Sequence, residues 1–172
     1  MELKIIQIMN RTSFIRSASY YLHSASMTLI ILNSTSENYV NYISQLVPEV
    51  FRSLSVPLIL FTQQINIKYQ MNGKNTYLII SEDLSTLHYF LVKYPQSISN
   101  PTDTFLILIA FPSYDNITEY QKVFDIFWKD RKLLDIMIFV KFIHKEDTEI
   151  ILTYNPFQGD SLSKENLWTV PE

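Results

Sequence analysis

The sequence predicts an α/β domain: three layers, with a mainly parallel sheet, helices on both of its faces, a hairpin, and an antiparallel strand near the C-terminus. Three observations predict it. Continuous aliphatic runs alternate along the chain with segments whose apolar residues recur at the helical period, which is the order of a layered α/β fold. Polar Ser/Asn/Asp-rich stretches sit between them, where helices need caps for their free amides. With 172 residues, 47% of them hydrophobic, the chain is long enough to bury roughly 70% of its unfolded surface in one core. Residues 1–157 are expected to form a single domain. Residues 158–172 turn polar and are expected to begin a linker or to form a truncated C-terminal tail.

Each element has its own justification. Residues 1–25 carry Leu3, Ile5, Ile6, Ile8, Met9, Phe14, Ile15, Tyr20, Tyr21 and Leu22 at no single period, and are assigned to helix. Met27-Thr28-Leu29-Ile30-Ile31-Leu32 reads as a buried strand. Ser34-Thr35-Ser36-Glu37 has the form of a capping box. The helix after it places Tyr39/Val40, Ile43, Leu46/Val47, Val50/Phe51 and Leu54 on one face. Pro48 is expected to kink that helix or split it, because proline lacks an N–H and clashes with the preceding turn.

Val56-Pro57-Leu58-Ile59-Leu60-Phe61 is the next buried strand and completes a βαβ unit. Ile65, Ile67, Tyr69 and Met71 alternate with polar residues. Asn72-Gly73 then signals a hairpin turn, with Thr76–Ile80 as its returning strand. Ser81-Glu82-Asp83 caps a helix bearing Leu84, Leu87, Phe90, Leu91 and Tyr94. Phe105–Phe111 is the strongest strand signal, expected at the centre of the sheet and ended by Pro112. Asn116-Ile117-Thr118-Glu119 resembles a second capping box, before a helix with Ile117, Tyr120, Phe124, Phe127 and Trp128 on one face. Ile136–Val140 is a further strand, Lys145-Glu146-Asp147 a turn, and Thr148–Tyr154 the last, antiparallel strand.

Composition excludes several chemistries. The only two glycines, Gly73 and Gly159, stand alone, so neither a phosphate loop nor a dinucleotide-binding turn can be written. A G-x-S-x-G nucleophile elbow is excluded on the same ground. Cysteine is absent, which removes disulfides, thiolate metal sites and thiol nucleophiles. Net charge is −3 and the 14 basic residues are scattered, so nucleic acid and anionic membranes are disfavoured as partners. No apolar run is long enough to span a bilayer. The first ten residues make a poor signal peptide, interrupted by Gln7.

Candidate functional residues are few. His23, His88 and His144 fall in different elements with no metal-ligand spacing, and read as structural. Glu82-Asp83 follows a strand end, where α/β proteins place sites. A carboxylate there suits a metal or a ribose, although a plain helix cap accounts for it better. Asp125, Lys129, Arg131 and Lys132 suit a phosphate, but a solvated helix end explains them fully. Phe124-Asp125-Ile126-Phe127-Trp128 has the look of a base-stacking platform, yet its helical spacing favours core packing. Asn10, Asn33 and Asn116 begin N-x-[ST] sequons and are glycosylation candidates. No catalytic constellation, cofactor site or metal site is expected, and the chain is read as non-enzymatic.

The run Val123–Val140, an aromatic-rich helix end at Phe127-Trp128 followed by Leu133-Leu134-Asp135 and an aliphatic strand, resembles the amino-terminal region of insect ionotropic receptors. So does Thr153-Tyr154-Asn155-Pro156-Phe157, a signature ending a second strand, and upstream Asp103–Leu108 fits as well. These receptors are divergent relatives of ionotropic glutamate receptors. The resemblance implies the ligand-binding-like or assembly region of a chemosensory ligand-gated cation channel. It implies placement outside the plasma membrane, possible co-receptor subunits as partners, no nucleic acid, and no membrane contact by this segment itself. The channel helices and the family's ligand-contacting residues lie beyond this stretch, so no ligand residue carries over. The alternative reading is an intracellular α/β regulatory or small-molecule-binding domain.

Overall fold

Seven strands form one sheet in the order β1-β7-β6-β5-β4-β2-β3. A computed structural model of the chain describes residues 2–8, 27–32, 34–53, 58–62, 75–93, 101–111, 117–130, 132–133, 135–142 and 148–155. In chain order the elements are β1 (Glu2–Ile8), β2 (Met27–Ile31), α1 (Glu37–Ser53), β3 (Leu58–Thr62), β4 (Thr76–Ser81), α2 (Leu84–Lys93), β5 (Thr104–Ile109), α3 (Ile117–Asp125), β6 (Asp135–Phe142) and β7 (Thr148–Asn155). A π-helical turn, Ile126–Asp130, extends α3.

β3, β2, β4, β5 and β6 are mutually parallel neighbours. Numbered by their own chain order, these five strands run 2-1-3-4-5 across the sheet, one of the doubly wound orders. β7 returns antiparallel to β6, as expected near the C-terminus, and β1 is antiparallel to β7. β1 therefore points the same way as the parallel block.

The helices lie on both faces, and the strands show why. Parallel strands buried on both faces read as unbroken aliphatic runs. In β4 and β5 every residue is buried. Alternate side chains then go to opposite layers. Tyr77, Ile79, Phe105, Ile107, Ile109, Ile138 and Val140 pack with Leu84, Leu87 and Leu91 of α2 and with Tyr120, Val123 and Phe124 of α3. Leu78, Ile80, Leu106, Leu108 and Phe139 pack on the other face with Tyr39, Leu46 and Val50 of α1. The chain is thus three layers deep, with β5 at the middle of the seven strands.

Several expectations need correction. Glu2–Ile8 is a strand, not helix: its isoleucines are β-branched and stiff at χ1, and all seven residues find partners on β7. The rest of the expected helix, 9–25, lies outside the described residues. β4 is not the return of a hairpin, because both of its edges are taken by parallel strands, β2 and β5. Asn72-Gly73 misleads because a strong turn dipeptide says nothing about which strand its neighbours choose. The alternating segment 65–71 lies outside the described residues. The hairpin near the C-terminus is formed instead by β6 and β7. α1 runs unbroken through Pro48, which faces away from the core on the exposed side.

The π turn ends in a wide cap. The Lys132 N–H donates to the Trp128 carbonyl at 3.1 Å and the Leu133 N–H to the Phe127 carbonyl at 3.2 Å. Lys132 sits at φ 57°, a left-handed conformation that costs an L-residue with a side chain roughly 1–2 kcal/mol. Glycine commonly fills this place after a helix, and a chain with two glycines uses lysine there. Closure of the cap lets Phe127 and Leu133 both reach the core.

Candidate functional site

β2 and β4 are neighbours, yet their connections leave over opposite faces: α1 covers one layer and α2 the other. In open α/β sheets that divergence opens a crevice beyond the carboxyl ends of the strands, and ligands bind there. The residues at this switch point are Leu32, Ser34 and Ser36 after β2, and Ser81, Glu82 and Asp83 at the end of β4.

The backbone floor is tightly bonded. The Ile80 carbonyl accepts two donors, the Leu32 N–H at 2.9 Å and the Tyr39 hydroxyl at 3.0 Å. On the other side, the Ala110 N–H donates to the Ser81 carbonyl at 2.9 Å and the Phe111 N–H to the Glu82 carbonyl at 2.8 Å. The end of β4 is thereby held from both flanks, past the last residues of the regular ladder.

Side chains bridge the switch point above this floor. The Ser36 N–H donates to Ser34 Oγ at 2.9 Å, and Ser34 Oγ donates to Glu82 Oε2. A carboxylate on β4 is thus tied to the loop leaving β2, and its charge lies beside the amino-terminal, positive end of α1. Glu82 is only half-buried, and its Oε1 has no hydrogen-bond partner among the described residues. Burial first, then the Glu82 carboxylate, then Tyr42 push the Tyr39 phenol well above the ordinary tyrosine pKa. Phe111 closes the same side with its ring edge-on to Tyr39 and Tyr42, at centroid separations of 6.5 and 5.9 Å.

Sequence reasoning places some of these residues correctly and others not. Asp83 is the N-cap of α2: its Oδ1 accepts the Thr86 N–H at 2.8 Å and its carbonyl accepts the Leu87 N–H. Glu82 beside it carries no cap and accepts from Ser34 across the switch point. The cap of α1 is Ser36, whose Oγ accepts the Tyr39 N–H at 3.4 Å, so Ser34 is displaced from the expected capping role. His88 is exposed on α2; His23 and His144 lie outside the described residues.

Lys129 pairs with Asp125 at 2.8 Å and the Lys132 ammonium lies 5.3 Å from the Trp128 ring centre. Arg131 lies outside the described residues. Phe124 and Phe127 are core residues, with Phe127 against Phe105 at 5.3 Å. The sequon asparagines Asn10, Asn33 and Asn116 lie outside the described residues. Of the signature Thr153–Phe157, Thr153, Tyr154 and Asn155 end β7, opposite Lys4, Leu3 and Glu2 of β1; Pro156 and Phe157 are outside. Tyr39 and Phe111 are visible in the sequence only as apolar positions and Tyr42 does not stand out at all, because nothing local shows which strand end lies beside which helix.

Among the described residues no three His, Cys, Asp or Glu side chains gather as a metal site. No helix among them is long and apolar enough to cross a membrane. Comparison with protein-family models, curated proteins and solved structures finds no match to this chain.

Proposed function

We propose that this chain is a binding lobe, the amino-terminal ligand-binding-like or assembly region of a chemosensory ionotropic receptor. The full-length form is then a ligand-gated cation channel with this region on the extracellular side of the plasma membrane and co-receptor subunits beside it. One observation carries the binding role. The 2-1-3-4-5 block has its switch point spanned by Ser34 and Glu82, with the second carboxylate oxygen unpartnered among the described residues. The receptor context rests on the resemblance of Val123–Val140 and Thr153–Phe157.

The transcript downstream of Glu172 tests that context. The expected result is an open frame with three apolar segments of about 20 residues, the length a membrane helix needs. A frame that closes without them overturns the receptor context. It leaves an intracellular small-molecule-binding α/β domain, the reading that the absence of cysteine favours.

A further inference from the structure

Along the chain, the stretches nearest the switch point carry acidic side chains and no basic ones. The residues that follow the carboxyl ends of β2, β4 and β5 most closely, 32–51, 82–92 and 110–118, contain no lysine or arginine; Arg52, Lys93 and Lys122 come further along the same connections. These stretches contain Glu37, Glu49, Glu82, Asp83 and Asp115. An anion entering here meets the Glu82 carboxylate, and none of these stretches supplies a basic side chain to offset it. Two amides at the start of α1 that attract anions in other folds are already engaged, Ser36 N–H by Ser34 and Tyr39 N–H by Ser36.

The aromatic rings add a second, independent preference. Phe111 is joined to Glu82 through its backbone N–H at 2.8 Å, and its ring meets the Tyr42 ring at 5.9 Å with an interplanar angle of 84°. Both rings are half-buried. Aromatic faces attract organic cations through their quadrupole, and a carboxylate attracts them by charge. The same rings offer apolar contact to a carbon skeleton.

From this juxtaposition we infer that the switch point binds a small primary amine in its ammonium form, with the cation on Glu82 Oε1 and the carbon skeleton against Phe111 and Tyr42. The inference rests on the binding-lobe reading and gives it a ligand class. Ser34 holds Glu82 in place from the opposite wall, so the carboxylate is oriented before the ligand arrives.

The test is an amide NMR titration of the full chain with n-butylammonium chloride. n-Butanol and sodium butyrate serve as neutral and anionic probes of matched shape, and sodium chloride controls ionic strength. Butylammonium is expected to move the amides of residues 34–42, 82 and 111 saturably at millimolar concentration, with the other probes inert. Glu82→Gln should weaken that binding at least tenfold. Glu119→Gln, which removes a charge paired with Lys122 on α3, should leave it unchanged. Saturation by butanol or butyrate and not by butylammonium overturns the amine class and leaves the binding lobe standing. No movement with any of the three overturns both. Equal butylammonium affinity in Glu82→Gln overturns the assignment of the cation to that carboxylate.

Discussion

At the amino ends of β4, β5 and β6, Asp103 is fully buried and accepts the Asn75 N–H at 3.0 Å and the Asn75 side-chain amide at 3.4 Å. The Thr104 N–H donates to the Asn75 carbonyl at 2.9 Å, and its hydroxyl donates to Asp135 Oδ2 at 2.6 Å. At the carboxyl ends, Glu82 is half-buried and takes one hydroxyl from Ser34, and its other oxygen has no partner among the described residues. Both ends tie a carboxylate to neighbouring strands or their loops. Only the amino end removes it from water. A buried carboxylate must have its lone pairs satisfied by the protein, so Asp103 is committed to the fold. A half-buried one retains capacity, and the proposed ligand would use that of Glu82.

The largest effect that sharpens this comparison comes from Asp103. Asp103→Ala strands the buried Asn75 N–H and removes charge-assisted hydrogen bonds, with an expected loss of about 3 kcal/mol in urea unfolding. Asp103→Asn, which keeps an acceptor, should lose less. A loss below about 1 kcal/mol for the alanine variant breaks the claim that this end is the structural one.

A smaller effect sits beneath the crevice. Tyr39→Phe deletes one of two donors to the Ile80 carbonyl, and is expected to lose about 1 kcal/mol at neutral pH. The effect depends on pH in a defined direction. The folded Tyr39 phenol holds its proton more tightly than the unfolded one, so its contribution is complete below the ordinary tyrosine value and lost as pH rises beyond it. Above about pH 10 this group alone lowers wild-type stability by up to about 1.4 kcal/mol per pH unit. The wild-type advantage over Tyr39→Phe should therefore vanish near about pH 11. An advantage unchanged across that range breaks the placement of a buried phenol beside Glu82.

The same contrast explains what the sequence reveals. Burial on both faces leaves a strong local signal, and the runs Met27–Ile31, Thr76–Ile80 and Thr104–Ile109 read directly as strands. The aromatic run Phe124–Trp128 shows its core role through helical spacing, because Phe124 and Phe127 point at one layer. Strand order is different. β4 lies between β2 and β5 because of contacts formed far apart in the chain. A hairpin dipeptide at Asn72-Gly73 therefore argues for the wrong partner. β1 hides for the same reason: seven residues at an edge, with a mate almost 150 positions away at Glu149–Asn155. Glu82 is visible as a carboxylate after a strand, but its link to Ser34 spans 48 positions. The site becomes visible only when the sheet order is known.

The smallest expected effect is the most discriminating. Glu82→Gln keeps an acceptor for the Ser34 hydroxyl and changes little except charge. The lost attraction to the start of α1 is modest at a solvent-facing position. The expected change in unfolding free energy is within about 0.5 kcal/mol, as for surface substitutions away from packed features. A carboxylate kept for stability behaves otherwise: a loss of about 2 kcal/mol or more in Glu82→Gln places Glu82 beside Asp103 as a structural group. The two ends of the sheet then cease to differ, and a site between β2 and β4 loses its support. Near-neutral stability combined with lost butylammonium binding is the outcome that only a binding carboxylate produces, because a charge that does little for the fold is then shown to act on a ligand.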